Sequence, residues 1–120
     1  MPQFEGHTLL TETLRVFNRA LARHADEYPY REILARVAEL GGLRLGVAIY
    51  EGDEPLPVDH YVIELREGKF QVVSHGPLES PVDWRVSVDY LRRVTVHAWE
   101  YVEEPAKLEL DWLEQRLGMR

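Results

Sequence analysis

The sequence predicts an α+β domain: an antiparallel sheet of about four strands packed against N- and C-terminal helices. Two apolar stripes with a repeat of about 3.6 residues open the chain. Segments alternating with a period of two fill its middle, and the helical pattern returns after residue 87.

From Thr8 to Ala25, Leu10, Leu14, Phe17 and Leu21 recur three or four residues apart and line one face of a helix, with Arg15, Arg19 and Arg23 largely elsewhere. Tyr28-Pro29 breaks this helix, because proline disfavours helix at its predecessor and suits the first turn of a new one. The next helix runs from about Tyr30 to Leu40, with Ile33, Leu34, Val37 and Leu40 as its apolar side and Gly41-Gly42 as its stop. "LRLGVAIY" then alternates Leu43, Leu45, Val47 and Ile49 against arginine and small residues, as a strand does with one face on a core. "EGDEPLPVD" reads as a loop. "HYVIELREGKFQVVSHG" reads as a hairpin turning at Glu67-Gly68. An unbroken ladder pairs Leu65 with Phe70, Glu64 with Gln71, Ile63 with Val72, Val62 with Val73, Tyr61 with Ser74 and His60 with His75. Gly76–Pro81 is a second loop, "VDWRVSV" a fourth strand, and Ser87 the cap of a helix carrying Tyr90, Leu91 and Val94. The tail from Ala98 is helical with a break at Pro105, and ends its last stripe, Leu110, Leu113 and Leu117, at Gly118.

A length of 120 residues fits one domain over 1–120, with no repeat or linker. The apolar runs are too short for an integral membrane span, and "MPQFEGHTLLTETL" does not read as a secretory signal, so a cytoplasmic location is expected. A net charge of −7 with scattered arginines argues against nucleic acid as a partner. The absence of cysteine excludes disulfides, thiolate metal sites and a cysteine nucleophile. Scarce asparagine and glutamine match thermophile composition, although the excess of arginine over lysine also follows from GC-rich codons.

The succession "LGVAIYEGD", "HYVIELREGKFQVVSHG", "DWRVSVDYL" resembles the sterol-carrier-protein-type lipid-binding domain over roughly residues 46–94. The resemblance implies a helix-backed antiparallel sheet with a tunnel between the layers for an acyl chain or sterol, and no catalytic residue. After Val94 the chain departs from that pattern. Where such domains continue into a glycine-containing segment and an apolar closing helix, it has the acidic "TVHAWEYVEEPAKLELDWLEQRLGMR".

Tyr61, Ile63, Phe70, Val72, Trp84, Tyr90 and Trp99 are the candidates to line such a hydrophobic pocket; the same aromatic residues would otherwise form core. His60 and His75, opposed across the hairpin, could share a divalent metal with Asp59 or Glu64, although no HxxxH spacing supports a site. Ser74 and His75 are neighbours whose side chains leave opposite faces of a strand, and no nucleophile elbow, P-loop or Rossmann fingerprint is present. The sequence therefore predicts a non-catalytic domain without a cofactor, binding a small hydrophobic ligand. The alternative is a protein-interaction or homodimerisation module with Trp99 and Tyr101 as its aromatic anchors.

Overall fold

A computed structural model of the chain describes residues 6–78 and 81–119. Two helices, α1 (Gly6–Arg23) and α2 (Tyr30–Leu40), precede strands β1 (Leu43–Tyr50), β2 (Asp59–Arg66), β3 (Lys69–His75) and β4 (Trp84–Ser87). Helices α3 (Val88–Val96) and α4 (Ala98–Glu103), a 3-10 turn (Pro105–Leu108) and α5 (Asp111–Arg116) follow. This is the α+β architecture expected, although α1 begins and ends two residues earlier. Of the loop expected over Gly76–Pro81, residues 79 and 80 lie outside the described residues.

The local signals act as their chemistry requires. Gly41, left-handed at φ 72°, ends α2 while Gly41 and Gly42 donate back to Ala38 and Val37. Glu67 and Gly68 both have positive φ, 53° and 78°, as a type I′ hairpin turn needs. Ser87 Oγ accepts the Tyr90 N–H and starts α3.

The strand order is β3-β2-β1-β4, with β1–β2 and β2–β3 antiparallel and β1–β4 parallel, so the sheet is mixed rather than antiparallel throughout. The register gives the reason. β3 ends with His75 opposite Tyr61, Tyr61 lies opposite Val47, and Val47 lies opposite the first residue of β4, Trp84. The chain thus leaves one edge at the level where it joins the other and continues in the same direction. The crossover passes over Gly46, where an added Cβ would meet Pro81 O at 3.0 Å and Leu78 Cδ1 at 3.1 Å. Asp83 fixes the crossing through both partners of one backbone position: its Oδ2 accepts the Gly46 N–H and its own N–H donates to Gly46 O, each at 2.9 Å.

The helices cover the opposite face. Leu10, Leu14, Phe17 and Leu21 of α1 join Ile33 and Val37, the inward residues of all four strands, and Leu91, Val94, Val102, Leu108 and Leu113 in one buried cluster. Along the β3 edge, Asn18 of α1 holds both backbone groups of Phe70, accepting its N–H at 2.6 Å and donating to its O at 3.1 Å. Among the described residues no helix is long and apolar enough to cross a membrane.

Candidate functional site

A β-bulge between Val62 and Ile63 overturns the far half of the expected hairpin ladder. Leu65–Phe70, Glu64–Gln71 and Ile63–Val72 pair as expected, but Val73 is extra, so Ser74 meets Val62 and His75 meets Tyr61. His75 therefore shares the sheet face of Tyr61, whereas His60 points to the other face and pairs across to Ala48 of β1. The opposed histidine pair is not formed. Among the described residues no group of three or more His, Cys, Asp or Glu side chains is placed to hold a metal ion.

The bulge instead builds a cluster that sequence reading missed. The His75 ring stacks on Tyr61, centroids 4.4 Å apart and planes within 10°. Asp59 joins the two, with its Oδ1 2.5 Å from His75 Nε2 and its Oδ2 accepting the Tyr61 hydroxyl at 2.8 Å. Burial first, and then the Asp59 carboxylate, hold the Tyr61 hydroxyl well above the usual phenol range. An aspartate orienting a histidine is half of a nucleophilic triad. Ser74, however, faces Val62 on the opposite side of the sheet, so the geometry pins the open end of the hairpin without presenting an adjacent serine nucleophile. The spacing of Asp59 and Tyr61, two apart on one strand face, is legible in the sequence. The bulge that delivers His75 to them is not.

Among the described residues, the pocket candidates are divided between the core, two clefts and the surface. Tyr61 and Ile63 are fully enclosed in the core. Phe70 and Val72 border a surface cleft of about 360 Å³ beside α1, shared with His7 and Asn18. Trp84 and Tyr90 border another, of about 530 Å³, beneath β4. Trp84 is only 5% exposed; it stacks on Trp112 at 4.8 Å and packs against Phe17 and the edge of Tyr90 at 5.5 and 6.4 Å. The Tyr90 hydroxyl donates to Leu108 O, and burial raises its pKa far above the usual range. The partnership with Trp112 was not legible, because it joins elements 28 residues apart by number (84 and 112) with no shared periodicity.

Trp99 stands apart from both clefts. It is 67% exposed, three residues beyond Val96 at 74%, so the two form an apolar knuckle where α3 passes into α4. Tyr101, the other expected anchor, turns inward and is buried. The Arg23 guanidinium lies 5.7 Å from the centre of the Trp99 ring and pairs with Glu103 at 2.9 Å. Lys107 bridges Glu100 and Glu104 at 2.9 and 3.4 Å, lowering the pKa of Glu100, while its own is raised by both. The knuckle therefore projects from an acidic rim whose side chains are held by ion pairs.

No family model, curated protein or solved structure matches this chain.

Proposed function

We propose that this chain is a non-catalytic protein-interaction module whose anchor is the Val96–Trp99 knuckle. The observation that carries the reading is Trp99 itself: a large indole left 67% exposed near the exposed Val96, whereas Trp84 is buried and Trp112 is half-buried. Interface hot spots are enriched in tryptophan because one such side chain displaces much water on entering a partner's pocket. The rim acids Glu100, Glu103 and Glu104 suit a partner with an apolar socket bordered by cations. The hydrophobic-ligand reading needs an opening between sheet and helices, and the aromatic packing of Phe17, Trp84 and Trp112 in that layer favours the interaction module over it.

A photo-reactive amino acid at position 99, compared with one at the exposed Arg31, tests the reading in the cell of origin. A protein crosslinked from 99 and not from 31, whose binding to the purified chain is lost in Trp99→Ala, is the expected result. Equal crosslinking from the two positions, or saturable micromolar binding of a fluorescent fatty acid unaffected by Trp99→Ala, would overturn it.

A further inference from the structure

The two edges of the sheet are finished differently. At β3, Asn18 occupies the N–H and O of Phe70 and leaves that edge less able to accept another strand. At β4, alternate residues of a strand paired only with β1 turn their backbone groups outward. Among the described residues, no other element is hydrogen-bonded to the backbone of Arg85 or Val86. The cleft of about 530 Å³ runs along all four residues of this strand, so the edge is approachable along its whole length.

We propose that β4 pairs antiparallel with β4 of a second copy of this chain, joining two four-stranded sheets into one of eight. The sign pattern of the cleft selects this occupant. It carries two cations, Arg85 on β4 and Arg93 on α3, and two acids, Glu109 on the turn before α5 and Asp111 at its start, so the two signs sit on separate elements. With equal numbers of cations and acids on separate elements, the patch can complement itself across a twofold axis, as an isologous interface requires, with Arg93 of each copy meeting Glu109 of the other. Side-chain alternation also restricts the register. Residues opposed across an antiparallel pair share a face, so the axis must pass through Arg85 or Val86. Centring on Arg85 opposes two like charges, whereas centring on Val86 sets the valines together on the core side and each Arg85 opposite a Ser87. The Val86 register is therefore the one inferred. This pairing is independent of Trp99, which lies on neither β4 nor its cleft.

Sedimentation velocity of the full chain across micromolar to submillimolar concentrations should show a monomer passing into a dimer. Hydrogen exchange at high concentration should slow selectively at the β4 amides. Arg93→Glu and Glu109→Arg should each weaken the dimer about tenfold, and the double exchange should restore it, with circular dichroism unchanged throughout. Trp99→Ala should leave the dimer intact. A chain that stays monomeric across the range overturns the proposal, and so does a dimer whose β4 amides exchange as fast as the monomer's or which Trp99→Ala dissolves.

Discussion

Trp84 and Trp99 share one chemistry and have opposite surroundings, and the contrast can be measured. Trp84 is enclosed by Phe17, Tyr90 and Trp112, so truncation removes apolar burial and leaves a cavity that close-packed neighbours fill only in part. Trp84→Ala should cost about 3 to 5 kcal/mol in urea unfolding. Trp99 gives up only its ring contact with an exposed Arg23, worth about 0.5 to 1 kcal/mol, so Trp99→Ala should change stability by no more than that. The sequence legibly assigned Trp84 an inward position, since it alternates with Arg85 in a short strand. For Trp99 the local pattern could not choose, because Trp99 and Tyr101 sit two apart on a helix of six residues and face different sides. Which one turned inward was decided by Tyr101 meeting the common core.

At the scale of elements, periodicity located the helices and strands, while contacts between distant segments set their edges and registers. The hairpin turn was legible from Glu67-Gly68. The bulge at Val73 was not, because a run of Val72 and Val73 gives no local sign of which residue is extra. Nor does the sequence mark Asn18, on the polar flank of α1, as the residue that finishes the β3 edge. Asn18→Ala leaves two groups of Phe70 without their partner and should destabilise the fold by about 1 to 3 kcal/mol, read from the urea midpoint. His24 links the end of α1 to α4. Its Nδ1 lies 2.6 Å from Glu27 and its Nε2 2.8 Å from Val102 O, and the protonated ring donates to both. Chiefly because of the Glu27 contact, its pKa is raised above 6.5 in the fold, with the Val102 carbonyl adding to the effect and burial opposing it. A raised folded-state pKa gives a contribution fully present below the unfolded value and lost as pH rises through the folded one. The melting temperature of wild type relative to His24→Gln should therefore be highest below about pH 6.5, the unfolded value, and fall as pH rises through the higher folded-state value. A difference independent of pH would remove His24⁺ as the link.

For the whole molecule, the decisive feature is that β1 lies inside the sheet, antiparallel to β2 and parallel to β4. Residues near in sequence make the β2–β3 hairpin, whereas β4 reaches β1 only through the crossover pinned by Asp83 to Gly46. This is why the sequence suggested four strands but not the parallel pair. The acidic tail raises the corresponding question of cooperativity, since α4 and α5 have six residues each and helices so short do not persist alone in water. They are held by tertiary contacts. Val102, Leu108 and Leu113 belong to the same buried cluster as Leu45, Val47 and Ile49 of β1, and Arg116 donates to Arg44 O at 2.9 Å on the part of β1 that precedes the β4 pairing. Opening the tail alone would strip the cover from Trp84 and expose the β1 end of the core, so the tail and the central strand should unfold as one unit. Native-state hydrogen exchange in increasing urea tests this: the most protected amides of α5 should show the same opening free energy and urea dependence as those of Leu45 to Ile49, both equal to the global values. If the α5 amides instead exchange through a smaller opening while β1 stays protected, the tail is a docked appendage and the core closes without it.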